Sequence, residues 1–255
     1  MVNSQAIRVE NLSKEFIKNK KTIDCVNLSI DKGELFCLVG ANGAGKTTLI
    51  KILCGLILPT SGNVFINGFD VTRDSERSRA SIGLVTGDER SFYWRLTGRQ
   101  NIEFFATLYN LSPTEASKKI VELFDLLDIE EPDKRFQEYP TGIKQKLSIA
   151  RALLNNPDIL FIDELTKSLD PSSAKDLRRF IKKTLVGKHK KTVFFSTHHL
   201  HEIEELADRA TFITKGRLTA VGTLNELREK TGNHDASIEE VYEYFVCRKD
   251  QHGVF

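Results

Sequence analysis

Residues 40–47 read Gly-Ala-Asn-Gly-Ala-Gly-Lys-Thr, a glycine-spaced turn closed by a lysine and a hydroxyl. The pattern G-x-x-x-x-G-K-[ST] restricts the chain more than any other segment does. Gly40, Gly43 and Gly45 leave little Cβ bulk, so the backbone can wrap closely and aim several N–H groups at one point. Ahead of the turn lies Glu34 to Val39, a short apolar run that suits a buried strand. Behind it, Thr47 to Leu53 carries a helical apolar pattern whose positive end faces the turn. Strand, glycine turn and helix together make a cradle for a phosphate chain, formed by Gly40, Ala41, Asn42, Gly43, Ala44, Gly45, Lys46, Thr47 and Thr48. Lys46 neutralises β- and γ-phosphates, and the Thr47 hydroxyl can ligate Mg²⁺.

The rest of the 255 residues fits an α/β chain. Strand patterns are predicted in Ile7 to Leu12, Phe16 to Ile30, Val64 to Ile66, Ile82 to Val85, Ile159 to Ile162, Thr192 to Ser196 and Ala210 to Thr214. Helices are predicted over Asn101 to Tyr109, Thr114 to Leu127, Lys144 to Leu154, Ser172 to Leu185 and Leu200 to Ala207, with Ser112, Pro113 and Glu115 as a helix start. The outline is a single domain over 1–255. Its core covers about 1–88 and 156–225, a helical insert about 89–155, and a C-terminal extension about 226–255.

Composition removes several classes. No apolar stretch approaches the roughly 18 residues a membrane span needs. The N-terminus lacks the basic and apolar regions of a signal peptide. Cys25, Cys37, Cys54 and Cys247 are far apart and form no CxxC pair, so they read as thiols of a reducing compartment. A formal net charge of +2 does not suggest a protein that coats nucleic acid.

Ile159 to Glu164 is an apolar strand ending in two carboxylates, placed where open α/β sheets bind ligands. Asp163 suits the Mg²⁺ shell and Glu164 suits polarising an attacking water. His198, His199, His201 and Glu202 lack the spacing of a zinc site.

In the order of these elements the chain resembles the nucleotide-binding subunits of ATP-binding-cassette (ABC) transporters over nearly its whole length. The resemblance implies a P-loop NTPase (RecA-like) core with an antiparallel β subdomain and an inserted helical subdomain, and it implies ATP and Mg²⁺ as cofactors. Phe16 stands where the family stacks an aromatic on adenine; otherwise it is a core phenylalanine. Tyr139-Pro140-Thr141-Gly142-Ile143 stands at the family signature, Ser168-Leu169-Asp170-Pro171 at the loop facing the opposite subunit, and His198 at the switch histidine. Catalysis would thus rest on Lys46, Glu164 and His198. ATP would join two nucleotide-binding subunits, identical or merely related, on the cytoplasmic face of a membrane, beneath a membrane-spanning permease. No nucleic-acid partner is implied.

Two departures stand out. The family glutamine between core and insert is missing; Gly87 or Asp88 takes its place, and Asp88 is a candidate metal-proximal carboxylate. The signature, usually like L-S-G-G-Q, has Pro140 for its serine, and proline offers neither hydroxyl nor N–H. Thr141 or the Gly142 N–H would replace the lost donor. One charge-assisted bond to phosphate is worth roughly 1.5–3 kcal/mol, so slower turnover or weaker dimer closure is expected. Leu165 replaces the usual proline after the carboxylates and is read as neutral. The run Ser91-Phe92-Tyr93-Trp94-Arg95-Leu96 lies on the surface that, in the family, receives a short helix of the membrane subunit; the alternative is that its rings pack inside the insert. The short chain and this run are similar to the exporter branch. Alternatives are a soluble ABC-type ATPase acting on nucleic acid or ribosomes, a GTPase or small-molecule kinase on the same loop, and a nucleotide switch that binds without turnover. The basic runs Lys18, Lys20, Lys21 and Lys188, Lys190, Lys191 read as solvated turns.

Overall fold

The computed structural model describes residues 4–87, 91–166 and 168–246. The segment after the turn-forming Gly33 becomes β3 (Leu35–Val39), buried along its whole length. Its side chains alternate between two cores. Leu35, Cys37 and Val39 enter one apolar cluster, and Phe36 and Leu38 enter the other. The same alternation holds in β7 (Ile159–Asp163) and β8 (Thr192–Thr197), so the central strands need apolar residues on both faces. Phe36 and Phe161 both pack on Phe194, with ring centroids 5.8 and 5.6 Å apart. Each such ring contributes about 1.5–3 kcal/mol by leaving water.

These strands belong to a six-stranded sheet in the order β10-β9-β3-β8-β7-β6. It includes β6 (Ile82–Thr86), β9 (Arg209–Thr214) and β10 (Arg217–Gly222). Neighbours from β9 to β6 run parallel; only β10 is antiparallel. A second, antiparallel sheet has the order β2-β1-β4-β5, built from β1 (Gln5–Ile17), β2 (Lys20–Asp31), β4 (Ser61–Ile66) and β5 (Phe69–Asp70). It packs with α1 (Lys46–Leu53) on one face of the main sheet. The mixed α/β expectation holds.

The short α2 (Ser75–Ala80) precedes β6, and between β6 and β7 the chain turns helical as α3 (Gly98–Leu108), α4 (Pro113–Leu127) and α5 (Thr141–Leu153). The predicted helix start is present, because Ser112 and Glu115 cap α4 reciprocally. These helices cover the other face together with α6 (Pro171–Phe180), α7 (His201–Leu206), α8 (Leu224–Thr231) and α9 (Ile238–Val246).

Three local readings need correction. Phe16 to Ile30 is not one strand, because Lys18 and Asn19 turn the chain, Asn19 with φ 63°. Strand β10 escaped prediction; its half-buried residues give a weak pattern, and the signal was the two-residue turn Lys215-Gly216, both with positive φ. The predicted helix over Ser172 to Leu185 is α-helical only to Phe180 and continues as a π-helix over Ile181–Lys188. Among the described residues no helix is long and apolar enough to cross a membrane.

Candidate active site

The glycine turn is held from behind by backbone. Gly40 donates to the Thr197 carbonyl at 3.3 Å, and a Cβ on Gly40 would stand 2.5 Å from the Ile213 carbonyl oxygen. Gly45 has φ 114° and directly precedes α1 with no side-chain cap, leaving the first amides of α1 to face the turn. The Lys46 side chain folds back into this ring and is only 4% exposed. Its Nζ donates to Gly40 O at 2.7 Å and Ala41 O at 3.2 Å, and lies 2.9 Å from Glu164 Oε1.

The two predicted carboxylates arrive at the same place from β7. Thr47 Oγ1 donates to Asp163 Oδ2 at 2.7 Å, and Ser196 Oγ donates to Asp163 Oδ1 at 2.5 Å. Glu164 takes a left-handed conformation, φ 50°, and its N–H donates to Ser196 O at 3.2 Å. Such backbone is sparsely populated for a non-glycine residue and is held here by its surroundings. His198 Nδ1 lies 3.6 Å from Glu164 Oε1, is buried and has no hydrogen-bond partner. Its ring lies 4.0 Å from that of His199. Burial first, then His198, holds the His199 imidazole below its ordinary pKa and favours its neutral form.

Thr47, Asp163, Lys46, Glu164 and His198 therefore converge at the C-terminal ends of β3, β7 and β8. A hydroxyl and a carboxylate 2.7 Å apart, beside the glycine turn, are the hard oxygen donors that Mg²⁺ accepts alongside phosphate oxygens. Gly87 reaches the same spot: a Cβ there would lie 3.5 Å from Glu164 O. Gly87 brings no side chain, and Asp88 lies outside the described residues, as does Cys247.

Phe16 is no core residue, being 57% exposed at the end of the β1–β2 hairpin, with Lys14 Nζ 5.0 Å from its ring centroid. The same hairpin touches the loop: a Cβ on Gly45 would meet Ile23 and Thr22 at 3.0 and 3.1 Å.

Thr141 and Gly142 do not join this cluster. They open α5, preceded by Pro140, whose side chain makes no capping bond. A Cβ on Gly142 would stand 3.6 Å from Ser173 Oγ. Both residues line a separate cleft of about 530 Å³ with Ser168, Leu169, Asp170 and Ser173, and no residue of the glycine turn lines it. Asp170 caps α6 by accepting from Ser172 and Ser173, each at 3.0 Å. The Tyr139 hydroxyl donates to the Glu131 carbonyl, and burial pushes its pKa up to about 12.

The aromatic run divides between its two readings. Phe92 is buried and stacked on Phe136 at 4.5 Å, whereas Tyr93 and Trp94 are about half exposed. Phe104 stands edge-on to Tyr93 at 4.9 Å.

Sequence reasoning overlooked Ser196, although it ends the predicted strand Thr192 to Ser196. It also overlooked Gly216, whose N–H donates to Ala44 O at 3.0 Å behind the turn. The Lys215-Gly216 turn was the available signal for the latter.

The chain is similar to known proteins in sequence and in fold. A family model described as ABC transporter matches residues 23–167. The ABC transporter ATP-binding protein NatA of Bacillus subtilis (strain 168) is 33% identical over 235 residues, covering 90% of this chain and 94% of that protein. The daunorubicin resistance ATP-binding protein DrrA3 of Streptomyces coeruleorubidus is 35% identical over 228 residues, covering 89% and 71%. A solved dimeric bacterial ABC transporter cassette superposes with a TM-score of 0.75 at 27% identity, covering 86% of this chain and 98% of that one.

Proposed function

The chain belongs to the ABC transporter family, as an ATP-binding subunit that hydrolyses ATP, and from that premise we propose that it powers export through a separate membrane-spanning partner. The observation that carries the catalytic reading is the convergence of Lys46, Thr47, Asp163 and Glu164 within hydrogen-bond and ion-pair distance at one end of the parallel sheet. Export is supported by the likeness to a daunorubicin resistance protein.

In this reading the glycine-turn amides at the N-terminus of α1 and the Lys46 ammonium hold the triphosphate. Thr47 and Asp163 would hold Mg²⁺, which would supply neutralisation of phosphate charge. Glu164, kept in place by its backbone bond to Ser196, accepts a proton from the attacking water. His198, with Nδ1 3.6 Å from Glu164 Oε1, stands beside the water-polarising carboxylate and would contact the γ-phosphate. Phe16 offers an exposed ring for adenine. Thr141 and Gly142 complete the site on the nucleotide of a second subunit, so ATP closes a dimer and hydrolysis opens it. Half-exposed Tyr93 and Trp94 supply aromatic anchors for the permease, on the cytoplasmic face of the membrane. Pro140 leaves the signature short of one hydroxyl and slows turnover relative to a serine-bearing relative.

Glu164→Gln tests this. Turnover should fall by about 10²–10⁴, while Mg·ATP is still bound and the dimer outlives that of the wild type in size-exclusion chromatography. A variant that hydrolyses at the wild-type rate, or a wild-type chain with no affinity for Mg·ATP, would overturn the reading.

A further inference from the structure

We propose that Ser196 is a positioning residue that fixes the Asp163 carboxylate in the orientation its metal requires. This rests on the assignment of Asp163 to Mg²⁺ and goes beyond it by naming what aims the ligand.

The strand that carries Ser196 is buried throughout, and Ser196 itself is 0% exposed. Its neighbour Phe195 and the facing Ile162 are apolar. A hydroxyl in such a place is unfavourable unless it is hydrogen-bonded, and an apolar side chain would serve packing better. Parallel register sets Ser196 directly beside Asp163. There its one proton goes to Asp163 Oδ1 at 2.5 Å. With Oδ1 engaged by β8, Oδ2 turns to Thr47 Oγ1 at 2.7 Å, the other proposed metal ligand. The Ser196 carbonyl meanwhile accepts the Glu164 N–H at 3.2 Å. One residue thus holds the metal carboxylate by its side chain and the water-polarising carboxylate by its backbone. Removing the hydroxyl frees the first and leaves the second. Outer-shell partners of this kind are worth about 10- to 100-fold in metal affinity.

The test is Ser196→Ala in the full chain, read by electron paramagnetic resonance titration of Mn²⁺ in saturating ATP. Mn²⁺ affinity should fall at least about tenfold. ATP affinity in EDTA should stay within about twofold, because the phosphate amides are untouched. In an Asp163→Asn background the same change should have no further effect, which separates action through Asp163 from general loosening of β8. Unchanged Mn²⁺ affinity, or an equal loss in the Asp163→Asn background, would overturn the proposal. Should the alanine variant fail to fold, Ser196→Cys decides: it keeps a similar volume but donates weakly. A loss of Mn²⁺ affinity then supports the role, and full affinity refutes it. A wild-type chain that binds ATP in EDTA but gains no Mn²⁺ affinity from it would instead refute Asp163 as a metal ligand.

Discussion

The two ends of the parallel sheet and its helical cover are built in opposite ways. Around the glycine turn every charged group is answered inside the chain: Lys46 by two carbonyls and Glu164, Asp163 by two hydroxyls. At the start of α5, Thr141 and Gly142 face a cleft shared with the Ser168–Asp170 loop, away from any phosphate-binding residue of the same chain. A self-contained half-site and an outward-facing one support the proposal that the catalytic unit is a pair. Fold stability fixes the first half; only association gives the second something to touch.

The sharpest way to break this contrast is to damage the outward half alone. Gly142→Asp adds a carboxylate beside Ser173 and where phosphate must approach. ATP hydrolysis should fall about 100-fold or more, the size of losing two charge-assisted bonds, while ATP binding to the monomer is kept. In a homodimer, mixing this variant with Lys46→Ala should restore activity, since a mixed pair retains one composite site made of an intact turn and an intact signature. Activity that is not regained on mixing, measured against each variant alone, would mean the two halves act within one chain.

Pro140→Ser sharpens the contrast from the same side. Pro140 makes no side-chain cap to α5, and serine is among the preferred residues there. A serine would supply both the cap and a hydroxyl for the partner's nucleotide. Steady-state turnover should rise about tenfold, corresponding to one bond of about 1.5 kcal/mol. An unchanged rate would mean Thr141 or the Gly142 amide already supplies that donor.

How much of this was legible beforehand follows the same division. The glycine turn and the Ile159 to Glu164 strand were readable because their chemistry is local: nine consecutive residues make the cradle, and one apolar strand delivers the carboxylates. What escaped depends on register between distant strands. Ser196 matters only because β8 lies beside β7 with Ser196 opposite Asp163, and Gly216 matters only because β10 folds back behind Ala44. No periodicity within either segment encodes those neighbours. Phe16 was ambiguous in sequence, since an aromatic in an alternating strand suits a core equally well; the turn at Lys18 and Asn19 decides its exposure. The divided fate of Phe92 and Tyr93 was likewise hidden, because the packing partner Phe136 is remote in sequence.

A smaller effect is expected on the nucleotide's far side. Phe16→Ala removes an exposed ring from the hairpin without touching the turn. ATP affinity by calorimetry should weaken about 2- to 10-fold, the range of one aromatic stack at roughly 0.5–1.5 kcal/mol. The rate of bound ATP hydrolysis should hold. A loss of rate at unchanged affinity would place Phe16 outside the adenine contact.

The smallest effect lies behind the turn, in the clamp that keeps the self-contained half rigid. Asp24 on β2 accepts from Lys21 Nζ at 2.7 Å and from Arg217 Nε on β10 at 2.7 Å, and its N–H donates to Gly216 O at 2.9 Å. The hydrogen bond from Lys21 and then that from Arg217 hold the Asp24 carboxyl below its ordinary pKa. A lowered folded-state pKa contributes stability that is present above the unfolded value near 4 and is lost as pH falls through the folded one. Asp24→Asn should therefore lower the Tm at pH 7 by about 2–4 °C, the shift that 1 kcal/mol gives in a chain of this size. The gap to wild type should narrow steadily as pH drops below about 4. Because no Asp24 atom touches the phosphate-facing amides and the backbone bond from Asp24 to Gly216 is kept in the variant, ATP affinity should change less than about twofold. A Tm gap that stays constant down to pH 3 would show that the charge of Asp24 contributes nothing, and that shape alone joins β2 to β10.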